Sequence, residues 1–317
     1  MSIKLQVCLE GIDSFFVGGR TARVNGLPIE HRSMVLNGAP REVNPNGVHT
    51  YGQMYVQRFK QAAPKYQTPL MLWHGGGMTG ATWESTPDGR KGWLWKFLQE
   101  GFDVYVCDAV ERGRSSFAMH PQIYKEPPVF RTREEGWTTF RLGLNYSDIP
   151  SERHVFAGQL FPVDRFDEFA KQWVPRWPNH ESLILSAYED LTERIGKSII
   201  VAHSQGAGFA AAIAQRVPHA VTAVVAVEPG GMPKEAPASQ LPPHLIVWGD
   251  HIDEAGEHWI RYRNQANDYL AKAGHRIPVD VLDLPRVGVN GNSHFPMMDT
   301  NSDEVFGLVM KWLEEKL

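Results

Sequence analysis

Six short apolar runs, separated by stretches mostly long enough for a helix, limit this chain to few architectures. They are "PLMLWHGGG" (from Pro69), "FDVYVCDAVERGRS" (from Phe102), "SIIVAHS" (from Ser198), "AVTAVVAVEPGG" (from Ala220), "HLIVWGD" (from His244) and "PVDVLDLP" (from Pro278). A run that is apolar at nearly every position suits a strand buried on both faces, which requires helices on both sides of the sheet. "GWLWKFLQEG" and "IRYRNQANDYLAKAG" supply such helices. "SDEVFGLVMKWLEEKL" closes the chain with apolar positions at helical spacing. The pattern predicts an α/β fold, a mainly parallel sheet with helices on both faces.

The first sixty residues read differently. "DSFFVGGR" and "GQMYVQRF" are short apolar or alternating runs bounded by glycines, as in a β-rich, antiparallel entry to a sheet. No repeat or low-complexity linker divides the chain, so residues 1–317 read as one domain. From about 116 to 186 no strand pattern is convincing, and aromatics accumulate: Phe130, Trp137, Phe140, Phe156, Phe161, Phe166, Trp173 and Trp177. So long a strandless insertion predicts a helical cap. Most of its aromatics are expected to fasten it to the sheet, because an aromatic is more often core than site. Trp137 and Phe140 are the two expected to act on substrate choice.

Composition narrows the function classes. The 317 residues carry a formal net charge of -4 and no Lys/Arg-rich run, which argues against nucleic acid or anionic membrane partners. No apolar stretch approaches the roughly 20 residues that span a bilayer. The start, "MSIKLQVCLEG", lacks the apolar core and cleavage site of a secretory signal, so a cytoplasmic location is expected, or periplasmic or secreted if a leader precedes the given sequence. Two cysteines, Cys8 and Cys107, make no disulfide framework, and a reducing compartment is the default.

"IIVAHSQGAGFAAAIA" (from Ile199) joins a buried strand to a small-residue helix through three polar residues, His203, Ser204 and Gln205. Such a sharp turn lifts a serine hydroxyl above the sheet and needs small residues two positions to either side. Ala202 and Gly206 meet that need, in A-H-S-Q-G rather than the usual G-x-S-x-G. Ser204 is therefore the candidate nucleophile, and a hydroxyl in that role needs a base, an orienting acid and oxyanion donors. His294, in the Gly/Asn-rich loop "VGVNGNSHFPMMD" after the last strand, is the candidate general base. The glycine run in "WHGGGMTG" and the amide after the serine supply the donors, Gly76 and Gln205, with His74 holding the loop. For the acid, Glu228 ends an otherwise apolar strand, where an unpaired carboxylate would be expensive. It is favoured over Asp250 and Asp253, which flank Ile252 after the following strand.

This constellation resembles the α/β-hydrolase superfamily across nearly the whole chain. In detail it is similar to a small branch of bacterial carboxylesterases with a Ser–Glu–His triad, through "SFFVGGR", "QMYV", "HGGGMTGATWESTPDGRKGW", "ERGRSS", "AHSQG", "VEPG", "GDHID" and "GNSH" in that order. The resemblance implies esterase activity on carboxylic esters, no cofactor and a homodimer, and the residues themselves point to hydrolysis of small esters through an acyl-enzyme on Ser204 with no metal. The cap is the part that resembles the branch least. Lactone hydrolysis or acyl transfer would use the same residues, and a hydrolase-like ligand-binding or signalling protein with a slow triad is the rival class. His251, Asp253, Glu254, Glu257 and His258 gather in "GDHIDEAGEHW" without an HExxH spacing, and read as a solvated helix start rather than a metal site. No carboxylate pair is singled out as a glycosidase would require.

Overall fold

The structure is a computed structural model in which residues 6–317 are described; the first five residues of the N-terminal stretch lie outside that range. The β-rich entry is a long antiparallel pair, β1 (Leu9–Val24) and β4 (Gly47–Gln61), with a small outlying hairpin of β2 (Glu30–Arg32) and β3 (Arg41–Val43) between them. The apolar runs form β5 (Leu70–Trp73), β6 (Val104–Asp108), β7 (Ser198–His203), β8 (Val221–Val227), β9 (His244–Trp248) and β10 (Val279–Asp283). One eight-stranded sheet results, in the order β1-β4-β6-β5-β7-β8-β9-β10. The six strands from β6 to β10 run parallel, and β4 joins them antiparallel through β6.

Among the described residues seven α-helices accompany the sheet: α1 (Trp93–Glu100), α2 (Arg133–Thr139), α3 (Phe166–Ala170), α4 (Glu181–Ile195), α5 (Gln205–Arg216), α6 (Glu257–Ala273) and α7 (Ser302–Lys316). Alternate strand residues face opposite sides. Leu70, Leu72, Ile199, Val201, Ala223 and Val225 bury against α1 and α7. Met71, Trp73, Ile200, Ala202, Val224 and Ala226 bury against α4, α5 and α6. Every residue of β7 is buried, which is why its sequence carries no alternation.

The chain between β6 and α4 holds only two short helices, α2 and α3, with single 3-10 turns and one isolated bridge, Val129 to Arg176. Trp137, Phe140, Phe161, Phe166 and Phe169 join the core on the α1/α7 side, while Phe130 is exposed. α4 begins inside the 116–186 stretch but packs on β1, β4 and α5, as a layer of the sheet. Cys8 and Cys107 are both free thiols, one exposed and one buried. Among the described residues no helix is long and apolar enough to cross a membrane.

Candidate active site

Ser204 stands between β7 and α5 at φ 53° and ψ -121°, a conformation L side chains rarely adopt. Its N–H donates to the Val227 carbonyl (2.9 Å), and its own carbonyl accepts from Gly230 N–H (3.0 Å), so the strained turn is tied to the end of β8. Small neighbours make the turn fit. A Cβ on Gly206 would lie 2.5 Å from the His74 carbonyl oxygen, and one on Gly230 would lie 3.1 Å from Ser204 Oγ.

His294 lies on the loop between β10 and α7, held by its backbone from two sides. Its N–H donates to the Phe140 carbonyl (3.1 Å), and its carbonyl accepts from His203 Nε2 (2.7 Å). Burial keeps His203 well below the usual imidazole range, so it is the neutral ring that donates here. Asp299 braces the same loop by accepting from Ser293 N–H (2.8 Å), Ser293 Oγ (2.7 Å) and Asn292 Nδ2 (2.9 Å). The imidazole of His294 is packed between Phe140, stacked at 5.8 Å, and Trp259 at 4.2 Å.

Glu228 follows β8 at φ 52° with a side chain 0% exposed. Its Oε2 accepts from His294 Nδ1 at 3.1 Å. The same carboxylate takes a two-pronged pair from Arg141, Nη1 to Oε2 at 2.6 Å and Nη2 to Oε1 at 2.7 Å, and a bond from Gly249 N–H. Arg141 comes from the stretch between β6 and α4 and is itself fully buried at φ 60°. Its Nε donates to the Asp250 carbonyl (2.7 Å), and its guanidinium lies 4.8 Å over Trp259. Burial alone would raise the Glu228 carboxyl; Arg141 and His294 outweigh it and hold the group at about 2. Burial brings His294 down to about 4, against the pull of Glu228. At neutral pH the pair is a carboxylate and a neutral imidazole whose proton sits on Nδ1.

Neither aspartate approaches His294. The Asp250 carboxylate accepts from His251 N–H (2.8 Å) and Gly291 N–H (2.7 Å), which ties two loops together, and Asp253 is exposed on a turn. In the glycine loop, His74 Nε2 accepts from Ala109 N–H (2.9 Å), so its Nδ1 donates to the Gly75 carbonyl (2.8 Å). Gly76 sits beside the elbow, where an added Cβ would be 3.0 Å from Gln205 Oε1. The Gln205 N–H opens α5, where the first amides have no intrahelical carbonyl to bond. Ser204, Gln205, Gly76, His294 and Phe140 line one cavity of about 190 Å³. Trp137 is away from it, fully buried with Nε1 donating to the His154 carbonyl (3.0 Å), and so fastens the stretch between β6 and α4 to the core.

Arg141 escaped the sequence reading. Its signal was a lone charge in "WTTFRLGL", a run otherwise apolar or uncharged, where a buried cation demands a partner. In the group around His251, the His251 ring stacks on Phe156 at 4.8 Å, and among the described residues no three His, Cys, Asp or Glu side chains are placed to hold a metal ion.

A mainly parallel sheet carrying a strained serine at a strand-to-helix turn defines an α/β-hydrolase. No protein-family model matches the chain. A solved structure described as a novel bacterial esterase is 31% identical, with a TM-score of 0.82, over 98% of this chain and 97% of that one. A probable secreted lipase, phiG, from Fungal sp. (strain ATCC 74256) is 25% identical, covering 83% of this chain and 86% of its own length. The chain belongs to the α/β-hydrolase esterases and is an enzyme.

Proposed function

We propose that the chain is a serine carboxylesterase that hydrolyses small carboxylic esters through an acyl-enzyme on Ser204. Ser204 Oγ attacks the ester carbonyl carbon while His294 Nε2 takes the hydroxyl proton. Glu228 keeps the other ring proton on Nδ1 and stabilises the imidazolium as it forms. The amides of Gly76 and Gln205 hold the oxyanion. As the tetrahedral intermediate collapses, His294 returns the proton to the leaving alcohol. Water then attacks the acyl-enzyme with His294 again as base, which releases the acid and restores the serine.

The observation that carries this reading is the Glu228–His294 bond at 3.1 Å, in a loop that borders the same cavity as the strained Ser204. A cap at about 116–186, through Phe140 and Arg141, is part of the proposed site. A homodimer is proposed as well. β1 is a sheet edge 16 residues long with Ile12 and Phe16 exposed, a surface that suits pairing with a second copy. The two free thiols favour a reducing compartment.

The test is turnover of short nitrophenyl esters by the native chain and by Ser204→Ala. The native chain should turn them over, and the variant should lose several powers of ten with its fold unchanged. A variant as active as the native chain would overturn the assignment.

A further inference from the structure

The cavity holds two cations that the reaction above does not use. Arg131 and Arg176 both line it, together with a single carboxylate, Glu135. Arg131 Nη1 pairs with Glu135 Oε1 at 2.7 Å, and Arg176 Nη2 stands 3.5 Å from that same oxygen. Two guanidiniums on one carboxylate leave a positive charge over. The imbalance falls in a confined place: the Arg131 side chain is only 6% exposed, and its Nε has no hydrogen-bond partner among the described residues. The other titratable groups at the cavity do not cancel it. Burial and Arg141 lower His258, which is neutral at pH 7, as are His203 and His294. Glu228, behind His294, is matched by Arg141.

The two arginines are also held in place. Residues 129 and 176 exchange backbone bonds, Val129 N–H to the Arg176 carbonyl at 2.7 Å and Arg176 N–H to the Val129 carbonyl at 3.0 Å. Val174 N–H bonds the Gly77 carbonyl (2.9 Å), which anchors this bridge to the glycine loop. Arg176 Nη1 would be 3.3 Å from a Cβ on Gly76, so a cation stands next to the proposed oxyanion donor. Arg131 lies 4.6 Å over the Phe140 ring. Burial and the neighbouring Arg176 bring Arg131 down to about 10, the direction expected for a cation short of counter-charge.

We propose that Arg131 and Arg176 bind a carboxylate carried by the ester itself, so that the substrate class is an ester bearing a free carboxylate close to the scissile carbonyl. The proposal rests on the esterase reading above and names the substrate class of that site. A guanidinium fork fits a carboxylate bidentately, and in a confined cavity the bond is charge-assisted. The carboxylate can sit on either side of the scissile bond, in a monoester of a dicarboxylic acid or in an acylated hydroxy acid.

The experiment measures kcat/KM for two matched pairs at pH 7. Monoethyl succinate is compared with ethyl succinamate, and O-acetyl glycolate with O-acetyl glycolamide; in each pair the amide keeps the size and removes the charge. At least one anionic ester should be favoured over its amide roughly 10- to 100-fold, the range for hydrogen bonds to charged groups. The pair that shows it identifies the side that carries the carboxylate. Arg131→Met and Arg176→Met should each shrink that preference about tenfold or more, chiefly through a higher KM for the anionic ester, since the contact exists in ground and transition state alike. Arg176, 36% exposed and tied in by its backbone, gives the variant that decides if Arg131→Met melts early. Amides turned over as well as both anionic esters, or a preference that survives both substitutions, would overturn the proposal while leaving the esterase reading intact. Failure of the native chain on every ester, nitrophenyl acetate included, would overturn both.

Discussion

Replacing Arg141 with Met removes the cation that the buried Glu228 depends on and keeps much of the side-chain volume. Arg141 donates four bonds, two to the Glu228 carboxylate and one each to the Asp250 and Ser293 carbonyls (2.7 and 3.2 Å). Breaking a buried ion pair by removing one partner costs about 3–5 kcal/mol, because the other charge is left uncompensated. The Glu228 carboxyl gives a second route to the magnitude. Its fall from 4.5 to about 2 favours the ionised form by about 3 kcal/mol, and Arg141 is the largest favourable cause. At about 2 °C per kcal/mol for a chain this long, Arg141→Met should melt on the order of 6–10 °C below the native chain at pH 7. The sign with pH follows. Because the folded carboxyl lies below its ordinary value, its stabilisation is present above about pH 4.5 and is lost as pH falls through about 2. The native chain's margin over the variant should therefore narrow on acidification. Thermal melting by circular dichroism at pH 7 and pH 3 measures both. Adding Glu228→Gln to Arg141→Met removes the stranded charge and should recover part of the loss. An Arg141→Met variant that melts with the native chain, or one that Glu228→Gln only makes worse, would refute this reasoning.

Three further outcomes are expected. Glu228→Gln should lower turnover by about 10⁴, the order seen for the matching acid-to-amide change in a serine protease, whereas Asp250→Asn and Asp253→Asn should cost far less; assays of the three folded variants at pH 7 to 8 check this. The pH profile of kcat/KM on a neutral ester should rise through about pH 4 and be level by pH 6, since burial holds His294 at about 4 and the base acts as the neutral ring; a midpoint near the ordinary 6.5 would contradict the site's electrostatics. Gly206→Ala should lower both turnover and melting temperature, because its Cβ would meet the His74 carbonyl oxygen at 2.5 Å, a backbone atom that cannot swing aside; an unchanged melting curve would count against a tightly packed elbow.

The sheet was legible because its central parallel strands are apolar nearly along their length, the edge strand β10 (VDVLD) being the exception, and the six runs became β5 to β10 in chain order. The antiparallel entry was legible for the opposite reason, its partial alternation between glycines. The strand-to-helix turn could be read because small residues at Ala202 and Gly206 are a local requirement of the backbone. The pairing of Glu228 with His294 followed from the cost of a carboxylate ending an apolar strand. Its other partner did not, since Arg141 is 87 residues away and reaches Glu228 only through the tertiary path of the chain between β6 and α4. The stretch between β6 and α4 was the least legible part. Its two short helices leave most backbone irregular, and irregular backbone has no period to betray it. Arg131 and Arg176 are neighbours only because one isolated bridge joins Val129 to Arg176, a non-local pairing that no local pattern announces.

The central claim is that Ser204 is the nucleophile at this site. Intact mass after exposure to a fluorophosphonate, followed by peptide mapping, tests it most directly. One adduct per chain is predicted, on the peptide that carries Ser204, abolished in Ser204→Ala and slowed in Glu228→Gln. An adduct mapped to another residue, or undiminished labelling of the alanine variant, would contradict the account.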